Sequence, residues 1–389
     1  VNIIPPLDLA RQYPLIADQV GTAVLEVLAS GRYIGGSLVE TFEQQFANYI
    51  QVSQCVACNS GTDALYLALR ALEIGAGDQV ITTPFTFIAT AEVINAVGAT
   101  PVFVDIDPQT FNLDVNLVAA QITPKTRAII PVHLFGQSVD MTRLIAIAKT
   151  YHLAVIEDCA QATGAEWAGR KVGSIGHVGC FSFYPTKNLG ACGDGGAVTT
   201  NDVQIAAKIR SLREHGQSQD RYYHTQLGVN SRLDSLQAAI LSIKLQHLDT
   251  WNQQRQTIAT RYQELLHPLP GIVLPQELTD CRSVWNQYTL QLLAPEGATS
   301  DTGGRGQYRD RVRQMLQQRG ISSMVYYPLP LHQQPVYQAL GYGVGQFPVA
   351  EQVANQVLSL PMFPELTLPE QEQITYGLKE SLADLQSSQ

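Results

Sequence analysis

The chain has 389 residues, 45% of them hydrophobic and 15% charged, which is enough for a large core and for more than one domain. Its 34 acidic and 25 basic residues leave a net charge of -9, a surface that repels phosphate backbones and argues against nucleic acid as a partner. No window approaches the roughly 20 uninterrupted apolar residues of a membrane span, and Val1 to Asp8 carries no signal pattern, so no membrane partner and a cytoplasmic location are expected.

Short β-branched runs alternate with helical patterns along the first half. Strands are predicted at Cys55–Cys58, Gln79–Thr83, Pro101–Asp105, Ala128–Val132, Ala154–Glu157, Gly179–Phe183 and Ala197–Thr200. Several are apolar throughout, as strands covered on both faces are. Between them, Leu65–Leu72 and Thr142–Tyr151 have helical spacing. The alternation predicts an α/β domain on a mainly parallel sheet. Leu236–Leu266 reads as long helices that lead into a smaller α+β domain. Ala294–Gly306 reads as a surface loop, Tyr308–Gln318 as a helix, Ile321–Tyr327 as a strand and Ser387–Gln389 as a polar tail. The expected division is residues 1–250 for an N-terminal segment and large domain, and 251–389 for the small C-terminal domain.

Five segments carry chemistry. In Asn59-Ser60-Gly61-Thr62-Asp63 a strand ends and a helix begins, with Ser60 and Asp63 at capping-box spacing. The unpaired amides of such a helix start, a glycine and a threonine hydroxyl make a phosphate cup; taken alone, the segment is also an ordinary capped helix. Pro84-Phe85-Thr86-Phe87 follows a strand, where an aromatic ring can stack on a planar cofactor or simply fill the core. Val155-Ile156-Glu157-Asp158 runs an apolar strand into two acids that must face opposite sides. One can meet a ligand while the other pairs elsewhere. Phe181-Ser182-Phe183-Tyr184-Pro185-Thr186-Lys187 sets a lysine five residues after a serine, ahead of Gly193-Asp194-Gly195-Gly196. Gly228-Val229-Asn230-Ser231-Arg232 supplies an amide and a guanidinium able to meet phosphate or carboxylate. A lysine amine, a phosphate-binding serine and a buried carboxylate are what pyridoxal 5'-phosphate (PLP) chemistry needs. The amine makes a Schiff base, and the carboxylate keeps the pyridine nitrogen protonated.

The cysteines are Cys55, Cys58, Cys159, Cys180, Cys192 and Cys281. Cys55-x-x-Cys58 invites a redox reading, but small apolar residues on a buried strand explain it better. No Cys/His set is spaced for zinc, and no metal is expected.

The chain resembles the DegT/DnrJ/EryC1/StrS family of PLP-dependent sugar aminotransferases over nearly its whole length, from Pro6-Leu7-Asp8-Leu9 to Leu358-Ser359-Leu360-Pro361-Met362. The most specific blocks are Ser60 to Leu65, Glu157 to Ala162, Phe181 to Lys187 and Tyr327 to His332. The resemblance implies a fold type I aminotransferase and a homodimer with active sites across its interface. It implies Lys187 as Schiff-base lysine and proton shuttle, and Asp158 as partner of the pyridine nitrogen. Gln161 would contact the ring hydroxyl region, and Phe87 would stack on the ring. Gly61, Thr62 and Ser182 would bind the phosphate, with Asn230 reaching it from the other subunit. Arg232, Tyr326, Tyr327 and His332 would contact a nucleotide sugar. The family often has His-Tyr-Pro where this chain has Tyr326-Tyr327-Pro328.

Relatives that replace the lysine with histidine dehydrate sugars; this chain keeps Lys187, which implies transamination with L-glutamate as donor. Members acting on 3-keto sugars tend to read Lys-Asn-Leu-Gly-Ala-x-Gly-Asp-Gly-Gly in the lysine loop, as Lys187 to Gly196 does here, whereas C4-acting members more often carry Glu-Gly-Gly. The expected activity is amination at C3 of a nucleotide-diphospho keto sugar in amino-sugar biosynthesis. The alternatives are the C4 reaction, a cyclic polyol ketone as substrate, or a PLP-binding regulator without turnover.

Overall fold

The structure, a computed structural model, describes residues 3–218, 220, 222–295 and 306–387. Seven strands form one sheet: β1 (Gln54–Cys58), β2 (Gln79–Thr82), β3 (Thr100–Phe103), β4 (Thr126–Ile129), β5 (Ala154–Asp158), β6 (Val178–Ser182) and β7 (Gly196–Thr200). Their order is β1-β7-β6-β5-β4-β2-β3. β7 is antiparallel to both its neighbours and the other pairs are parallel, so six strands run one way and β7 runs back. Every strand predicted for this sheet is present; the expected end of β4 is shorter, with Val132 joined to Asp158 only by an isolated bridge.

Helices α1 (Ala17–Ser30) and α2 (Ser37–Ile50) precede the sheet, and α3 (Gly61–Ala71), α4 (Ala89–Ala96), α5 (Met141–Thr150) and α6 (Val203–Arg213) pack on it. Strand alternation divides the core. Val56 and Cys58 pack with Leu65, Leu69 and Ile209 on one face, while Cys55 and Ala57 pack with Phe42, Phe46 and Phe181 on the other. Both faces are covered, which is why these strands read as continuous apolar runs. Cys55 and Cys58 therefore point apart, and all six cysteines are free thiols. Burial pushes the Cys58 thiol up to about 12, where it is inert at neutral pH. Aspartates start the helices: Asp140 Oδ1 accepts the Arg143 amide at 3.0 Å, and Asp202 Oδ1 accepts the Gln204 amide at 2.8 Å.

The second half adds α7 (Ser235–Leu245), α8 (Leu248–Leu266), β8 (Ile272–Val273), β9 (Tyr288–Leu292), α9 (Gln307–Gln318), α10 (Pro348–Gln356), β10 (Val357–Leu360) and α11 (Leu368–Ser387). β8, β9 and β10 make a three-stranded antiparallel sheet. Helix α8 starts with Leu248 against the large-sheet core and ends with Ile258, Tyr262 and Leu266 in a second core beside Tyr288, Leu316 and Phe363. Ile4 belongs to this second core, and its amide donates to the Gly320 carbonyl at 2.8 Å. The first residues are thus held by the last part of the chain.

Ile321–Tyr327 is not the strand expected. Ile321 bridges Ile4, and Met324 exchanges two hydrogen bonds with Ser359; no ladder continues. Pro328 and Pro330 follow, and neither has an amide to donate. The loop expected at Ala294–Gly306 lies, for 296–305, outside the described residues, as do 388–389 of the expected tail; Ser387 ends α11. Among the described residues no helix is long and apolar enough to cross a membrane.

Candidate active site

The six parallel strands end along one edge of the sheet. The antiparallel β7 brings its first residue, Gly196, to that edge, opposite Cys58 on one side and Ser182 on the other. Ligands of open α/β sheets bind at this edge.

A helix start opens the site. Ser60, in extended conformation, caps α3 by accepting the Asp63 amide on Oγ at 3.1 Å. The helix itself uses neither the Gly61 nor the Thr62 amide, and both stand at the positive end of its dipole. The surrounding backbone is very close. A β-carbon on Gly61 would lie 2.6 Å from that of Ser182, and one on Gly196 would lie 2.3 Å from the Ser60 carbonyl oxygen. Only glycines fit, and the result is a cradle of amides with the Ser182 hydroxyl alongside.

Asp158 ends β5, nearly buried. Its Oδ1 accepts the Ala160 amide at 3.1 Å and its Oδ2 accepts the Thr90 hydroxyl at 2.9 Å. Burial pushes its carboxyl up, and those donors together with the Lys187 charge offset only part of that. Glu157 faces the other way. Its carboxylate accepts hydrogen bonds from His133 Nε2 at 3.0 Å and from the amides of Gly173, Ile175 and Gly176. His133 Nδ1 accepts the Val139 amide at 3.1 Å, which fixes its proton on Nε2. Burial alone would raise the Glu157 carboxyl, but the His133 and backbone donors hold it below its usual range. His133, Glu157 and Cys159 lie close enough together to suggest a metal, yet these hydrogen bonds already occupy the histidine and the carboxylate.

Lys187 sits in the turn after β6, half-buried, with its amide bonded to the Tyr184 carbonyl at 2.9 Å. Burial pulls its ammonium down to about 8, against the attraction of Asp158. At pH 7 roughly a tenth of such amines are neutral, against fewer than about one in a thousand for an ordinary lysine. The turn is braced from outside. Asn188 donates to Asn252 Oδ1 at 2.7 Å and to the Val284 carbonyl at 2.9 Å, and it accepts from Asn286 Nδ2 at 2.7 Å. Lys244 Nζ donates to the Gly190 carbonyl at 2.7 Å.

Gln161 Oε1 accepts the Phe135 amide at 2.7 Å, so its Nε2 points to the Tyr327 hydroxyl, 3.0 Å away. Tyr327 thereby ties the C-terminal half to the sheet edge. Its ring lies 6.4 Å from that of Phe87, which exposes 57% of its surface. Tyr326 is half-buried, 5.8 Å from Tyr327 between ring centres.

Three expected residues stand differently. Asn230 is exposed, beside Glu214 at the end of the 214–230 excursion. Arg232 is engaged by Glu214 at 2.9 Å. His332 is buried against Phe347, with Nε2 3.1 Å from Glu351 Oε1. Arg213, close by, is committed to Glu43 and the Ala57 carbonyl. Sequence reasoning missed Thr90 and Asn188. Nothing local announces either, because the partners of Thr90 at Asp158 and of Asn188 at Asn252, Val284 and Asn286 lie far away in the chain.

Residues 14–379 match the DegT/DnrJ/EryC1/StrS aminotransferase family. The chain belongs to this family. It is 48% identical to a "Pleiotropic regulatory protein" of Geobacillus stearothermophilus over 97% of this chain and 98% of that one. It is 47% identical to a UDP-N-acetyl-3-dehydro-α-D-glucosamine 3-aminotransferase of Acidithiobacillus ferrooxidans, over 93% and 94% of the two chains. Its fold superposes on S. venezuelae DesV, solved in complex with a ketimine intermediate, with a TM-score of 0.92, 43% identity and 98% of each chain covered. The architecture is therefore that of fold type I aminotransferases, and family members depend on PLP. The residues present fit that cofactor: a glycine-lined helix start for its phosphate, a buried carboxylate, a lysine of lowered basicity and an open aromatic face.

Proposed function

We propose that this family member transfers the amino group of L-glutamate to the C3 keto group of a nucleotide-diphospho sugar, with PLP as cofactor. The observation that carries the reading is the convergence of Lys187, Asp158 and the Gly61–Ser182 cradle on one sheet edge. The lysine loop from Lys187 to Gly196 and the 3-aminotransferase activity for which the Acidithiobacillus relative is named support C3 over C4.

PLP, when bound, supplies an electron sink for the carbanion left by loss of an α-proton. The chain supplies the rest. The amides of Gly61 and Thr62 with the Ser182 and Thr62 hydroxyls would hold the cofactor's phosphate, and Lys187 Nζ is the amine that would carry the cofactor. Phe87 covers one ring face. Asp158 keeps a positive charge on the pyridine nitrogen. Lys187 Nζ would also move the donor's α-proton, and its lowered basicity lets a free amine there both take and return that proton near neutral pH. Arg232, Tyr326, Tyr327 and His332 serve the nucleotide sugar, Arg232 by leaving Glu214 and His332 by leaving its buried contact with Glu351. The molecule works as a homodimer in which Asn230 completes the neighbouring site. In support, residues 222–227 are exposed, with Leu227 at 85% and Tyr223 at 64%, and so is Asn230.

The test loads the protein with PLP, aminates it with glutamate and screens 3-keto and 4-keto nucleotide sugars and free cyclic ketones by mass spectrometry. A 3-amino nucleotide sugar is expected. The name of the Geobacillus relative raises a regulator without turnover; a protein that binds PLP but is never aminated by glutamate would establish that reading instead.

A further inference from the structure

We infer that Thr90 is a positioning residue for the cofactor: its hydroxyl, itself held by Thr86, keeps Asp158 oriented and ionised for the pyridine nitrogen. The inference rests on the proposed PLP chemistry and adds to it a residue that never touches the substrate. Thr90 is buried in the first turn of α4, and its Oγ1 lies 2.9 Å from Asp158 Oδ2 and 3.1 Å from Thr86 Oγ1. An ionised carboxylate can only accept, so the single Thr90 proton points to Asp158. Thr86 must then donate to Thr90, and the direction of the chain is fixed: Thr86 to Thr90 to Asp158. Both hydroxyls are buried, so water offers no ready substitute.

The need for this donor follows from the balance at Asp158. Burial penalises its charge, while the Ala160 amide, the Thr90 hydroxyl and the Lys187 ammonium act against that penalty. In the proposed mechanism Lys187 is consumed by the cofactor and loses its full charge. Two donors then remain on the chain. The Ala160 amide sits on Oδ1, so Thr90 alone serves Oδ2. The groups facing the carboxylate are these donors, Lys187, the Tyr327 hydroxyl and the buried Cys159 and Cys180 thiols and, behind the strand, the His133–Glu157 pair, in which Glu157 is held by four donors of its own.

The experiment compares wild type, Thr90→Val and Thr90→Ser. Valine keeps the shape and removes the hydroxyl; serine keeps the hydroxyl. Two readouts are taken: the dissociation constant for PLP, and the titration of the Asp158 carboxyl by carbon-13 NMR in protein freed of cofactor. Thr90→Val is expected to weaken PLP binding about 10- to 100-fold, as loss of a hydrogen bond to a charged group does. Its Asp158 titration should move up by about one pH unit or more, and Thr90→Ser should stay near wild type on both. Thr90→Val behaving like wild type, or Thr90→Ser failing equally, overturns the inference. If the valine variant does not fold, Thr86→Val tests the same chain and should shift both readouts the same way by less; no shift there overturns it too. Failure of the wild type to bind PLP would sink the proposed function instead, and the NMR titration would still decide whether Thr90 governs Asp158.

Discussion

Lys187 is the residue on which most depends, and its setting makes a kinetic prediction. A depressed amine is charged below its pKa and nucleophilic above it. With Lys187 near 8, the rate at which cofactor-free protein captures PLP should rise about tenfold per pH unit up to about pH 8 and then level off. Stopped-flow absorbance measures this, and a rate still climbing at about pH 10 would mean an ordinary lysine. Lys187→Ala should abolish borohydride-stable labelling and turnover together. At Asp158 the expected effect is on chemistry. Asp158→Asn should keep the cofactor bound while slowing the proton-transfer step roughly 100- to 1000-fold, the usual loss when a preorganised charge is removed. Single-turnover rates equal to wild type would remove Asp158 from the mechanism. Both residues stand out as candidates in the sequence, because an acid ending an apolar strand and a lysine in a glycine-rich turn are local patterns. Thr90 does not, because its importance comes from a carboxylate 68 positions away.

The elements matter through their ends. The start of α3, the end of β6 and the start of β7 close on each other only because the neighbouring residues are Gly61 and Gly196. Gly61→Ala would drive a methyl group to 2.6 Å from the Ser182 β-carbon, which is fixed to a strand and cannot swing away. The variant should fold, since α3 gains a better helix former. Its PLP affinity should fall by about tenfold or more as the helix end is pushed from the strand, the size expected for disturbing one or two charge-assisted hydrogen bonds. Equilibrium dialysis against PLP reads it, and unchanged affinity would show that the cradle does not hold the phosphate. Strand positions were legible because both faces of the large sheet are buried and the apolar runs stand out. Ile321–Tyr327 misled for the converse reason: its β-branched and aromatic residues are extended but pair only at isolated bridges.

At the scale of the whole molecule, the C-terminal half reaches the sheet edge through Tyr327 on Gln161, and braces the lysine turn through Asn286 on Asn188. The site is thus assembled from both halves of the chain. The proposed homodimer would extend this to two chains. Mixing Lys187→Ala with Asn230→Ala subunits should then regenerate one intact site in each hybrid, about a quarter of wild-type activity after full exchange. Light scattering and turnover after mixing test it; hybrids that form and remain inactive would confine the site to one subunit.

The sequence by itself determined the sheet and the helix start at Ser60, singled out Lys187 as a candidate and narrowed the acid to Glu157 or Asp158, because each rests on local periodicity or on short-range spacing. Tertiary structure alone decided which of the two adjoining acids meets the site, that His332 is buried with Glu351, and that Thr90, Asn188 and Tyr327 brace the reactive groups. Those outcomes depend on contacts between residues far apart in the chain, and such contacts leave no periodic trace in the order of the amino acids.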